Sequence, residues 1–237
     1  MVPSLTEAIE TTAPGMIAGA TEYCTHPADL DVPRVGGSKY PDVDAVLDVE
    51  PDLVVANAEE NRPEDVDRLR ANGVPVWVTA AAVNVPDGLG SVRRLLTQGL
   101  GLTEPDWLVE AENLWSTSVP VHSTAIIPVW RRPWVVIGRD TFAGDVLLRL
   151  GVANAYAEHE ERYPRPKLYE LQKQDADLVV LPDEPYLFTA DDGPEAFPGK
   201  RYALVSGRYL TWCGPSLVDA YHSLRTSLPG ETVGRGE

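Results

Sequence analysis

A strand, a helix and a second strand are packed into residues 51–79, and no other stretch restricts the fold as tightly. Leu53 to Ala56 is a short apolar run of strand type, Val76 to Val78 is another, and the segment between them is polar and helix-forming. That is a βαβ unit. Asn61 stands three residues before Glu64, the spacing at which a side-chain oxygen caps a helix while a carboxylate at N3 reciprocates, and Gly73 supplies the stop. The loop from Asn57 to Asn61 therefore leaves the carboxyl end of a buried parallel strand. Open α/β sheets meet their ligands at that edge, which makes Asn57 and Glu59 binding candidates. The unit also has a partner: Glu50-Pro-Asp-Leu-Val-Val55 recurs as Asp175-Ala-Asp-Leu-Val-Val180, and in that register Glu59 falls on Glu184. We read the pair as a duplication; two independent strands of a common type are the plainer alternative.

Length and composition bound what these units can belong to. The 237 residues suffice for one large or two small domains, and 43% hydrophobic with 24% charged residues indicates a folded chain with neither disorder nor a membrane span. A formal charge of −16 argues against nucleic acid or an anionic bilayer as partner, so no nucleic-acid binding and no direct membrane insertion are expected. Cys24 and Cys213 lie far apart and read as two free thiols. Cys24-x-His26 lacks further ligands at finger or zincin spacing, so no metal site is expected. The chain as written opens with no signal peptide, which places it in the cytoplasm. Met1-Val-Pro-Ser4 reads as the end of a strand followed by the capping box Ser4-Leu-Thr-Glu7. That pattern leads us to expect a start further upstream, and a lipoprotein signal there would place the protein outside the cytoplasm.

Along the chain, a short helix runs to about Thr12, a strand covers Gly15–Thr21, and Pro33–Tyr40 forms a loop whose two glycines let backbone approach a ligand. A helix from Asp42 leads into the strand at 53. Between Val85 and Pro120 apolar residues recur at three and four, including Trp107, Leu108, Ala111, Leu114 and Trp115, which predicts a helical connection with its main helix at about 105–118. Beyond it come the strand Ala125–Trp130, the helix Thr141–Leu150, a polar loop from Asn154, a helix from Pro166, strands at Leu178–Leu181 and Tyr202–Val205, and a last helix from Pro215 to Leu228. The expected architecture is α/β: an N-terminal lobe at 1–84, a connecting helical segment at 85–120 and a C-terminal lobe at 121–237, with parallel sheets in both lobes and a ligand cleft between them.

No nucleophile elbow, Walker loop, Ser/His/Asp order or paired-acid motif is present, so no catalytic residue is assigned and no enzyme is expected. The strand-end loops carry planar and charged side chains instead: Tyr23, Tyr40, Trp77, Trp130, Arg131, Arg139, Tyr163, Tyr186, Arg208, Tyr209 and Trp212, with Glu184 beside them. Aromatic faces stack on a flat ligand, and arginines grip its carboxylate, amide or phosphate rim. For any one of these residues, packing within the protein is the commoner role.

Val2-Pro-Ser-Leu-Thr-Glu7, Tyr23-Cys24, Pro33-Arg-Val-Gly-Gly37, Pro51-Asp-Leu-Val-Val55, Glu60-Asn-Arg62, Trp130-Arg-x-Pro133, Gly138-Arg-Asp140 and Pro215-Ser-Leu217 occur in an order that resembles the helical-backbone metal receptor superfamily. These are the cluster III periplasmic binding proteins, which include vitamin B12 and ferric-siderophore receptors. The resemblance spans nearly the whole chain and implies two α/β lobes bridged by one long helix, with a ligand site between them. It implies a monomeric solute-binding protein, without a cofactor of its own, that delivers a corrinoid, heme or ferric siderophore to an ABC permease. It further implies that Glu64 and Asp65 are permease-docking carboxylates. Asn57 stands where a corrin-flanking indole is expected. The alternative is a cytosolic relative that has lost transport and acts as a scavenger or an unassigned enzyme.

Overall fold

The computed structural model describes residues 1–229; residues 230–237 of the expected C-terminal lobe lie outside them. The chain divides into two compact units. Unit 1 comprises Met1–Ala82, Asp87–Glu110 and Cys213–Pro215, and unit 2 comprises Val83–Pro86, Ala111–Trp212 and the chain from Ser216 onward.

Unit 1 begins with α1 (Pro3–Thr12), whose first turn is set by proline at N1 rather than by a side-chain cap. Proline brings the helical φ and has no N–H to satisfy, so the Ser4–Glu7 capping box expected from sequence does not form; Ser4 lies inside the first turn. The same substitution of means occurs at α3 (Pro63–Ala71), which has Pro63 at N1 and no side-chain cap. Asn61 is not the cap there. Its side chain accepts from the Asn57 amide at 2.8 Å and donates to the Ser38 carbonyl at 2.7 Å, bracing two loops. By contrast α2 (Val43–Asp48) is capped by Asp42, whose Oδ1 accepts from the amides of Asp44 and Ala45. The strands β1 (Val54–Asn57) and β2 (Val76–Thr79) pair in parallel, as the βαβ reading requires. The strand expected at Gly15–Thr21 is reduced to one parallel bridge between Ala20 and Arg34. Leu69 of α3 and Val54 join Val35, Val43 and Val46 in one core cluster. A second joins Leu5, Ala8 and Ile9 of α1 to Val92 of α4 (Val85–Arg94) and to Leu95 and Leu96 of the π-helical turn Leu95–Gly99.

The expected helix at 105–118 is α5 (Asp106–Trp115), and the boundary between the units falls within it. Its last residue, Trp115, is fully buried in unit 2, donating its indole N–H to the Leu217 carbonyl. Unit 2 is built on a four-stranded parallel sheet in the order β6 (Val152–Asn154), β3 (Ser123–Ile126), β7 (Leu178–Pro182), β8 (Arg201–Val205). All five residues of β7 are buried, consistent with its continuous apolar run. A two-stranded antiparallel hairpin of β4 (Pro128–Trp130) and β5 (Val135–Val136) follows β3. The helices are α6 (Phe142–Arg149), α7 (Leu168–Lys173), α8 (Gly207–Thr211) and α9 (Ser216–Ser227). One ion pair on α6, Asp145 with Arg149 at 2.7 Å, holds both connecting segments: Asp145 accepts from the Val85 amide at 2.8 Å, and Arg149 donates to the Trp115 carbonyl at 2.5 Å. No helix among the described residues is long and apolar enough to cross a membrane.

The strand match that suggested duplication extends to the geometry within each unit. β1 ends at Asn57 and β7 at Pro182, the aligned position, and the next amide in each case bonds to the end of the neighbouring strand: Ala58 to the Thr79 carbonyl at 2.9 Å, Asp183 to the Val205 carbonyl at 3.1 Å. Glu59 and Glu184 therefore sit two residues past equivalent strand ends.

Candidate functional site

In unit 1 the exposed candidates gather on the loops that follow strand-like segments. Tyr23 and Tyr40 are 63% and 66% exposed and flank the Gly36–Gly37 turn. Gly36 has φ +78 and lies so close to the Asp42 amide that a side chain has no room, while a Cβ on Gly37 would lie 3.3 Å from the Tyr23 ring. The Tyr40 ring carries the Arg62 guanidinium 4.7 Å from its centroid. Asn57 is turned inward to its own loop: its side chain accepts from the Glu59 amide at 2.8 Å and donates to Thr79 Oγ1 and the Ala80 carbonyl. Glu59 is exposed. Its neighbour Glu60, quoted from sequence in the Glu60-Asn-Arg62 motif but not as a binding candidate, has its carboxyl pushed up to about 7 by burial, with the Met1 amine pulling the other way.

Two expectations in unit 1 need correction. Trp77 is not at a strand end; it lies within β2, half-buried, with its ring 3.0 Å from where a Cβ on Gly99 would be. The ring fills the space left by that glycine and packs on the α1–α4 cluster. Asp65 is not an exposed docking carboxylate. It is 7% exposed and bonded to Arg62 Nε at 2.8 Å and Nη2 at 3.0 Å, so its charge is consumed at the helix start, whereas Glu64 is exposed.

In unit 2 the candidates fall in three groups, all beyond the carboxyl ends of the parallel strands. The first follows β3 and β7, which are neighbours. Trp130, 43% exposed, meets Tyr186 edge to face at 5.7 Å, and the Tyr186 hydroxyl donates to Asp192 Oδ2 at 2.6 Å. Arg131 is paired with Asp192 and with Glu195 at 2.5 Å, and lies over Trp134. Asp192 and Glu195 were missed in the sequence, where Asp191-Asp-Gly-Pro-Glu195 reads only as a polar insertion. The second group joins Arg139, paired with Asp140 at 2.6 Å, to Arg162, which bonds the Asp140 carbonyl and lies over the Tyr163 ring at 6.0 Å. Gly138 makes this possible: its amide donates to the Arg162 carbonyl at 2.8 Å, and any Cβ would run into the Glu161 carbonyl oxygen.

The third group follows β7 and β8. The Arg208 guanidinium lies over Tyr209 at 5.5 Å and Trp212 at 5.7 Å. Trp212 is 8% exposed and hydrogen-bonds Glu184, so this indole is a buried support rather than an open wall. Burial, then Asp183, raises the Glu184 carboxyl above the usual range, against the Trp212 bond and the Arg208 charge. Among the described residues no three His, Cys, Asp or Glu side chains group to hold a metal ion. Cys24 is buried, its sulfur hydrogen-bonded to the hydroxyls of Thr6 and Thr21 at 3.2 Å.

No protein-family profile and no curated sequence matches the chain. Solved structures do. The periplasmic heme-binding protein of Roseiflexus sp. RS-1 superposes with a TM-score of 0.74 at 19% identity, covering 95% of this chain and 96% of that one. The periplasmic vitamin B12 binding protein of Vibrio cholerae gives 0.72 at 14%, covering 96% and 94%. A possible iron-binding periplasmic solute-binding protein of Staphylococcus epidermidis gives 0.76 at 16%, covering 95% of each. All three are binding proteins by description. With 95–96% of the chain covered, the fold is that of the periplasmic heme- and vitamin B12-binding proteins, in the superfamily that its ordered motifs resemble.

Proposed function

We propose that the protein is a solute-binding protein for a planar metal chelate, a heme or a corrinoid, and that it serves an ABC importer as a monomer. The observation that carries this reading is the convergence of exposed or half-exposed aromatic and cationic side chains at the carboxyl edge of the unit 2 sheet, where α/β folds take ligands. The metal is cargo and arrives already chelated. The residues of this chain bind the macrocycle face through stacked rings and its periphery through charge. Exposed Glu64, at the start of α3, is the docking carboxylate for the permease, and the protein works outside the cytoplasm.

Native mass spectrometry of the protein with heme, cobalamin and a panel of ferric siderophores tests the reading. A one-to-one complex with heme or cobalamin, accompanied by quenching of indole emission, is the expected result. Failure of every panel member to bind at 1 mM or below would reject it.

A further inference from the structure

We propose that Arg132, at the turn between β4 and β5, is the side chain that takes a carboxylate on the rim of the ligand stacked at Trp130. This rests on the receptor reading above and goes further, by assigning the ligand an anionic rim and naming the group that reads it.

The argument starts from which arginines are already occupied. Arg131 has 13% of its side chain exposed, with one carboxylate on each side and the Trp134 ring against its face. A fork engaged by Asp192 and Glu195 has little left to offer a ligand carboxylate. Arg139 is held by Asp140, Arg162 by the Asp140 carbonyl, and Arg208 lies over two rings beside Glu184. Arg132 is different. It is exposed, and among the described residues no hydrogen bond or ion pair engages its guanidinium.

Its backbone adds a second, independent observation. Arg132 has φ +69, the left-handed region that an arginine rarely adopts and that persists only where the surroundings impose it. Arg132 lies in the turn that joins Trp130, ending β4, to Val135, beginning β5. The turn therefore carries a cation two residues from the exposed indole of Trp130 in a fixed backbone conformation. A stacking indole with an unpaired guanidinium beside it recognises a flat ring system that bears a carboxylate, and it discriminates against one whose carboxylates are masked.

The test compares heme with its dimethyl ester, which keeps the ring and metal and removes both negative charges, by absorbance titration of wild type, Arg132→Ala, Arg132→Gly and Arg131→Ala. Glycine suits the positive φ, so Arg132→Gly removes the charge without backbone cost, and thermal melts of all variants report folding. Both Arg132 variants should weaken heme by about ten- to a hundredfold, as expected for a charge-assisted hydrogen bond, and should leave the dimethyl ester within about twofold of wild type. Unchanged heme affinity in either Arg132 variant, or an equal loss for heme and ester, would overturn the assignment while leaving the receptor reading intact. Wild-type protein that binds neither heme nor ester, nor any of the chelate panel, would overturn both.

Discussion

The ion pair on α6 makes the sharpest stability prediction, because three groups depend on it. Arg149→Ala removes the 2.7 Å pair with Asp145 and the 2.5 Å bond to the Trp115 carbonyl in one step. It also leaves the Asp145 carboxylate, whose side chain is 18% exposed, with the Val85 amide as its remaining donor among these contacts. Hydrogen bonds to charged groups contribute about 1.5–3 kcal/mol each, and a partly buried charge that loses its partner adds a desolvation cost, so we expect a net loss of about 3 kcal/mol. For a chain of this size each kcal/mol moves Tm by roughly 2–4 °C, so Tm should fall by about 6–12 °C. Circular dichroism melts measure it. Arg149→Lys keeps the charge but cannot reach both acceptors with one planar fork, and should recover about half of the loss. A Tm within about 2 °C of wild type for Arg149→Ala would refute the idea that this pair anchors both connecting segments to α6.

Other expectations follow from the site. Burial raises the Glu184 carboxyl, so folding favours its protonated form; that contribution is complete below the unfolded value near 4.5 and is lost as pH rises through the raised folded value. Glu184→Gln should therefore raise Tm relative to wild type more at pH 7.5 than at pH 4, and a pH-independent difference in melts would count against it. Gly138→Ala should destabilise the protein by about 1–3 kcal/mol in urea unfolding, since the added carbon collides with the Glu161 carbonyl, and a neutral result would mean the 161–164 loop yields freely. Trp130→Ala should weaken heme or cobalamin binding by about tenfold in a fluorescence titration, reflecting a stacked ring and its buried area; no change would remove Trp130 from the binding surface. Glu64→Lys should abolish capture by permease vesicles with ligand affinity unchanged, and unaltered capture would exclude that carboxylate from docking.

The strand at Leu178–Leu181 was legible because burial on both faces leaves an unbroken apolar run. Helix starts were less so. Ser4 and Asn61 carry good capping side chains, but Pro3 and Pro63 already define the first turns, and Asn61 is recruited by Ser38, 23 residues away in sequence. The candidate site was legible as a set of residue types and not as a set of contacts. Trp77 and Trp212 read like Trp130 in a sequence, yet the space over Gly99 and the carboxyl of Glu184 draw two of them inward. Likewise Arg131 and Arg132 are adjacent and chemically identical. Only the fold, by bringing Asp192 and Glu195 across 61 and 64 residues of chain, tells the paired one from its neighbour.

Tyr23 stands almost free of its surroundings, yet the bare backbone of Gly37 passes close beneath its ring. A Cβ at position 37 would meet the ring at 3.3 Å and push it a few tenths of an ångström from the place it now holds. The glycine gives the ring a ledge. An exposed aromatic that already rests on such a ledge loses little rotational freedom on contact, so much of the roughly 0.5–1.5 kcal/mol needed to immobilise a side chain at an interface is spent during folding rather than during capture.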